Sequence, residues 1–140
     1  MEARRIHTQQ FGELEVEPRH IFFFENGLMG FENLREFVLV SDDESAPFKW
    51  LISIEESGIG FPLLSPWHID AAYDIGNEFD PDRNAVFVVV TLSPSGLTAN
   101  MKAPVLLDTK SQSGRQVILP NEQYQPMFSF GAVRSTGERT

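Results

Sequence analysis

The stretch LTANMKAPVLLDTKSQSGRQVILP, Leu97 to Pro120, reads as two strands joined by a polar turn. Met101, Ala103, Val105 and Leu107 alternate, which predicts one apolar strand face. Val117, Ile118 and Leu119 supply the partner strand. Between them, Asp108 to Gly114 is a polar run closed by a glycine suited to positive φ. Pro104 has no N–H to give to a ladder, so the first strand is an edge or carries a bulge there. Thr98, Asn100 and Lys102 fall on the opposite, polar face, and with Pro104 they form a candidate partner surface. The plainer alternative is that both strands are core and Asn100 caps a local turn.

Outward from this pair, the chain is a series of short apolar runs separated by turn residues. Arg4 to Gln10 and Glu13 to Glu17 predict a hairpin around Gly12, with Leu14 and Val16 alternating against three glutamates, and Pro18 ends it. Ile21 to Phe24 is a short buried strand. Glu25-Asn-Gly-Leu-Met-Gly-Phe31 carries two glycines within four residues, which predicts a tight turn with Leu28 and Phe31 exposed on it. Glu32 to Glu36 suggests one helical turn, and Phe37 to Val40 a strand. Trp50, Ile52 and Ile54 share a face of a strand over Phe48 to Ile54, and Ile59 to Leu64 pairs back onto it. Ser65 to Asp74 is irregular and packs Trp67, Ile69 and Tyr73 across an end of the sheet. Ala85 to Leu92 is the most apolar run, so both its faces are expected to be covered. Tyr124, Met127, Phe128 and Phe130 are expected to close a core edge. About eight or nine strands at this spacing predict an all-β fold, a small antiparallel β-barrel or barrel-like sandwich with short helical turns. One domain spans residues 1–133, and residues 134–140 read as a polar tail.

With 140 residues the chain is long enough to bury roughly two thirds of its unfolded surface. Its mean hydropathy of −0.19 fits a soluble globular protein. It has no cysteine, which excludes disulfides, thiolate metal sites and thiol nucleophiles. The start, MEARRIHTQQ, has no apolar core of a secretory signal, and the longest apolar run, Ala85 to Val90, is far short of a membrane span. A cytoplasmic location is therefore expected. The net charge of −9 is concentrated: residues 41–82 hold ten carboxylates, among them Asp42, Asp43 and Glu44, against the single base Lys49. Such a surface repels phosphate backbones, which disfavours direct nucleic-acid binding, and is suited to a basic protein partner; the plainer alternative is a solvated acidic face that keeps the domain soluble.

Catalytic and metal-binding signals are weak throughout. Asp80-x-Asp82-x-Asn84 opens like a calcium loop, but its sixth position is Ala85 and its twelfth Thr91. His68 and Asp70 lack a third ligand at metal spacing. Gly58-Ile-Gly60 has neither the third glycine nor the helix of a dinucleotide fingerprint, and no serine sits in a nucleophile elbow. No catalytic residue, metal or cofactor is assigned.

Several segments, in order and spacing, resemble the flagellar assembly factor FliW family. They are Phe11-Gly12-Glu13, Ile21 to Glu32, Phe37 to Leu39, Pro47 to Leu51, Ala85 to Thr91, Thr98 to Val105 and Gly114 to Leu119. Met101 stands where the family pattern leads one to expect leucine, a swap that cores tolerate. The resemblance implies a small β-barrel without enzymatic activity, which binds flagellin in the cytoplasm and also binds the RNA-binding regulator CsrA. Export of flagellin would free the factor to capture CsrA and so relieve flagellin mRNA. On this reading Leu28, Phe31 and the polar face of residues 98–104 are candidate partner contacts, and Asp42, Asp43 and Glu44 lie near the RNA path of bound CsrA.

Two other classes fit the length and strand content. A flavin-binding split barrel would need clustered cations for the phosphate, and Arg83 and Arg115 are the nearest hints; a colourless purified protein removes it. An OB-like nucleic-acid barrel would stack bases on Phe22, Phe24 or Trp50; a gel shift with the pure protein at moderate salt would revive it against the charge.

Overall fold

Alternating apolar residues wrap most of this chain into a closed β-barrel. The structure, a computed structural model, describes residues 4–56 and 58–131; the expected tail from Arg134 lies outside them. Eleven strands are found among the described residues: β1 Arg4–Thr8, β2 Gly12–Val16, β3 Ile21–Phe24, β4 Glu36–Ser41, β5 Lys49–Ser53, β6 Gly60–Leu64, β7 Asn84–Ser93, β8 Gly96–Ala99, β9 Val105–Asp108, β10 Ser113–Gln116 and β11 Phe128–Gly131. Four 3-10 turns, Pro18–His20, Asp43–Ser45, Pro66–His68 and Gly76–Glu78, supply the short helical turns. Strands β3, β4, β5, β6, β7, β9 and β10 close into a ring, because β7 pairs with β9 as well as β6, and β10 pairs with β3. All joints are antiparallel except β10 with β3, which is parallel over Ser113↔Phe23 and Gly114↔Phe24. The antiparallel barrel is therefore as expected, with one parallel seam.

Three apolar clusters divide the core. The barrel interior holds Phe22, Phe24, Phe37, Leu51, Leu63, Phe87, Val105 and Leu107. Each fully buried side chain of this kind contributes about 1.5–3 kcal/mol through area removed from water. Alternation then puts the neighbours outside. Val38 and Ile52 meet Val16, Trp50, Ile54 and the β1–β2 hairpin. Val86, Val88 and Val90 meet Leu64, Tyr73, Trp67, Ile69 and Leu119. The expectations for the face of Trp50, Ile52 and Ile54, for the Ser65–Asp74 segment and for a doubly covered β7 all hold, except that Leu92, at the β7 end, is exposed.

The stretch from Leu97 to Pro120 behaves differently in three respects. First, Met101, Ala103, Val105 and Leu107 do not form one strand face. β8 and β9 both pair along the same edge of β7, at Val90↔Ala99 and Phe87↔Val105. Val88 and Val89 of β7 thus oppose five residues, Asn100 to Pro104, which loop out as a large bulge. Met101 packs in the outer cluster, while Val105 and Leu107 point into the barrel. Pro104 sits in this bulge, as its missing N–H required. Second, the partner of β9 is Ser113–Gln116 rather than Val117–Leu119. The pairing continues past it: the Val117 N–H donates to the Pro104 carbonyl (3.1 Å) and the Leu119 N–H to the Lys102 carbonyl (2.8 Å). Third, Gly114 is a strand residue and not the turn glycine. A Cβ there would overlap the Phe24 ring, so glycine lets the parallel seam close. The positive φ falls on Gln112, at 58°. The Gln112 side-chain amide donates to the carbonyls of Pro18, Arg19 and Ile21, fastening the same seam. As expected, Asp108 opens the β9–β10 turn, and its carboxyl is held below the ordinary range. The causes are the Ser111 N–H, then, against an opposing burial effect, the Lys110 N–H and Arg83.

Two smaller expectations fail. Glu32 to Glu36 is not helical; the Leu34 N–H donates to Phe31 O across a single turn, and the chain then enters β4. Met127 and Phe128 do not close the core edge but stay exposed, while Tyr124 is buried and Phe130 packs against the outer cluster.

Candidate partner-binding groove

The bulge splits the sheet. On one side of it β8 and β11 continue upward from β7; on the other β9 and β10 continue round the barrel. A groove of about 250 Å³ opens at this fork. Its floor and back wall are Phe61, Val89 and Thr91 from β6 and β7. One lip is Thr98 and Asn100, with Pro126 and Met127 above. The other is Leu28 and Met29 of the glycine-rich turn, beside Gln116. None of these residues carries a charge. Met29 and Met127 are 43% and 72% exposed, and such flexible thioethers suit a surface that adapts to an apolar partner.

Each lip is held by backbone chemistry. The turn needs Gly27 at φ +64°, where a Cβ would lie 2.5 Å from the Phe31 carbonyl oxygen. The Gly27 N–H donates to Phe24 O (3.1 Å) and the Phe31 N–H to Leu28 O (2.7 Å). The turn therefore folds back over the barrel mouth. Leu28, expected to be exposed, is 3% exposed and belongs to the interior cluster. Phe31 is half-buried against Phe61, edge to face with ring centroids 5.0 Å apart, and does not line the groove. The open apolar residue of the turn is Met29.

The bulge is tied at every residue. The Asn100 N–H donates to Val89 O (3.0 Å), and the Asn100 Oδ1 accepts from the Ala103 N–H (3.1 Å). Asn100 thus caps a local turn and also faces the groove. The Met101 N–H reaches Gln125 O (3.0 Å), and the Met101 carbonyl accepts from the Tyr73 hydroxyl (2.6 Å). Burial, then Tyr124 and Asp70 nearby, push the Tyr73 hydroxyl far above the usual phenol range. Lys102 turns away from the groove and donates through Nζ to Asn121 O (2.9 Å). Of the surface expected from residues 98–104, Thr98 and Asn100 line the groove. Lys102 is spent on the Asn121 carbonyl and Pro104 is buried.

The acidic candidates belong to another part of the barrel. Asp43 and Glu44 are exposed on a 3-10 turn. Asp42 O accepts from the Ser45 N–H (3.1 Å), and Ser45 Oγ accepts from the Trp50 indole N–H (2.9 Å). Trp50 packs in the cluster under the β1–β2 hairpin. His68 is exposed, and Asp70 Oδ1 accepts from the Ala72 N–H (2.9 Å). Among the described residues no group of three or more His, Asp or Glu side chains is placed to hold a metal ion. None of the described helices is long and apolar enough to cross a membrane.

The reading from sequence missed Met29, Phe61, Val89, Thr91, Gln116, Pro126 and Met127 as groove residues. Met29 had a visible signal, an apolar side chain between two turn glycines. The others had none, because strand phase and chain return place them.

Fold and groove together define the class: a small closed β-barrel with an uncharged cleft where its sheet forks. Residues 5–129 match the family model described as FliW protein. The flagellar assembly factor FliW of Thermotoga maritima is 36% identical over 132 residues, covering 86% of this chain and 89% of the relative. That of Thermosipho africanus is 33% identical over 132 residues, covering 85% and 90%. A solved structure, described as the crystal structure of the flagellar assembly factor FliW, matches with a TM-score of 0.81 at 29% identity, over 91% of this chain and 96% of the other. The chain belongs to the FliW family.

Proposed function

We propose that the chain is a flagellar assembly factor that binds flagellin in the cytoplasm and antagonises CsrA, coupling flagellin synthesis to export. The observation that carries the proposal is the family match from residue 5 to 129, on a barrel with an uncharged groove lined by exposed methionines. Flagellin's terminal segments, on this reading, are disordered before assembly and amphipathic when folded. An amphipathic helix lays its apolar face into a groove of this kind. The groove, with Leu28, Met29, Thr98 and Asn100, is assigned to flagellin. The acidic surface, with Asp42, Asp43 and Glu44, is assigned to the approach of CsrA, whose RNA-binding face must be basic. Carboxylates there would repel RNA held by the same partner.

The magnitude limits what repulsion does. One carboxylate about 10 Å from one phosphate costs roughly 0.4 kcal/mol in water. Less than half survives a Debye length of about 8 Å. Several such pairs tune RNA release without switching it, and a change in the CsrA site on binding supplies the rest. Calorimetry with monomeric flagellin tests the first half of the proposal. The expected result is 1:1 binding at micromolar affinity or tighter, about −8 kcal/mol or better. Absence of heat and of co-elution at ~50 µM, well above that range, contradicts it.

A further inference from the structure

The groove meets a second concavity of about 410 Å³ on the outer face of the β3–β10 seam, and only Met29 and Gln116 line both. Gln116 is the last residue of β10, where its backbone pairs with Val105. Its side chain reaches in two directions. Oε1 accepts from the Met29 N–H (2.9 Å), 87 residues away in sequence. Nε2 donates to the Ala103 carbonyl (2.9 Å). One amide therefore bonds to the glycine-rich turn, one lip of the groove, and to the bulge that carries Asn100 of the other. Within the turn, the Gly27 N–H donates to Phe24 O, the Phe31 N–H to Leu28 O and the Gly30 N–H to Glu32 Oε2.

We infer that Gln116 is the positioning residue of the groove: its amide sets the separation of the two lips, and with it the conformation that accepts a partner segment. This rests on the assignment of the groove to flagellin. The chemistry singles out an amide. An acceptor alone holds the turn and releases the bulge; a donor alone does the reverse; an apolar side chain of the same length fills the space and holds neither. A protein whose accepting conformation is only partly populated binds with its affinity reduced by that fraction. Loss of both bonds should therefore lower apparent affinity chiefly through slower association, since the other groove residues keep their contacts in the complex.

The test uses the full chain with Gln116→Met and Gln116→Glu. Two measurements are made: amide hydrogen exchange by NMR in the free protein, and flagellin association and dissociation rates. For Gln116→Met the expected results are faster exchange at the Met29 amide, a melting temperature close to the parent, and about tenfold weaker binding, carried by the association rate. Tenfold corresponds to ~1.4 kcal/mol. Gln116→Glu at neutral pH keeps the acceptor for Met29 and loses the donor for Ala103. It should keep Met29 protected and give an intermediate affinity. Unchanged Met29 exchange in Gln116→Met overturns the proposal. So does unchanged flagellin affinity, or a loss confined to the dissociation rate. If the parent protein binds no flagellin, the assignment of the groove fails. The exchange result then decides separately whether Gln116 holds the turn.

Discussion

The groove at the fork and the acidic turn at Asp42–Glu44 are both candidate partner surfaces, and they are built in opposite ways. The groove is a shape. Its lips depend on a positive-φ glycine, on a bulge bonded at every residue, and on bonds between segments far apart in sequence. The acidic turn is a charge. Asp43 and Glu44 stand in solvent on one 3-10 turn whose anchor is the local contact of Ser45 with Trp50. Substitutions around the groove should act through its shape, on stability, on binding or on both. Substitutions in the acidic turn should change only electrostatics, and salt should erase them.

The largest effect that separates the two regions is expected from Gly27→Ala. Backbone atoms of Phe31 and Glu32 block the Cβ, and φ is +64°. Left-handed strain and the clash together should cost roughly 4 kcal/mol. Gly30→Ala is the control, because φ is also positive but nothing lies within 4 Å of the new Cβ. It should cost about 1 kcal/mol. Equal denaturation midpoints for the two variants would contradict the described turn.

Next comes Tyr73→Phe, which removes the hydroxyl that donates to Met101 O and should cost about 2 kcal/mol. It also carries a pH signature. The folded state holds the Tyr73 proton above the ordinary phenol value of about 10. The stability this gives is complete below that value and declines as pH rises above it, where the unfolded chain releases the proton first. Urea denaturation between pH 9 and about 11 should show a shallower decline in Tyr73→Phe than in the parent.

Asn100→Ala should have a smaller effect, about 1 kcal/mol, through loss of the bond from Ala103 N–H. Unlike Tyr73→Phe, it should also weaken flagellin binding per folded molecule, since Asn100 faces the groove. A melting temperature equal to the parent would show that the cap carries no stability. The smallest structural effect belongs to Asp42→Asn, Asp43→Asn and Glu44→Gln combined, which should move stability by less than about 0.5 kcal/mol. CsrA binding should change little, while displacement of RNA from CsrA weakens a few-fold at low salt and recovers the parental value at high salt. Unchanged displacement at low salt would remove this turn from the CsrA surface.

Much of the barrel was legible because its signal is local. Period-two alternation in Phe48–Ile54 and the unbroken run Ala85–Leu92 predict strands whose faces are determined by neighbours two residues away. Leu28 was misread because a glycine-rich turn looks exposed in sequence. Whether it folds out or back over the barrel depends on bonds that close only when β3 and β10 meet. Gly114 was misread for a related reason: a glycine that permits positive φ and one that admits a neighbouring ring look alike in sequence. Gln116 carried no signal. An amide before an apolar run is unremarkable until the chain brings Met29 and Ala103 within reach of its two ends.

The groove, and not the acidic turn, is proposed to receive flagellin. Amide hydrogen exchange of the full chain with and without saturating monomeric flagellin tests it directly. Protection is expected to rise at the Leu28–Met29 turn, at Thr98–Asn100 and around Met127, with no change at Asp42–Ser45. Protection confined to Asp42–Ser45, or a complex that forms with the groove amides unaltered, would contradict the account.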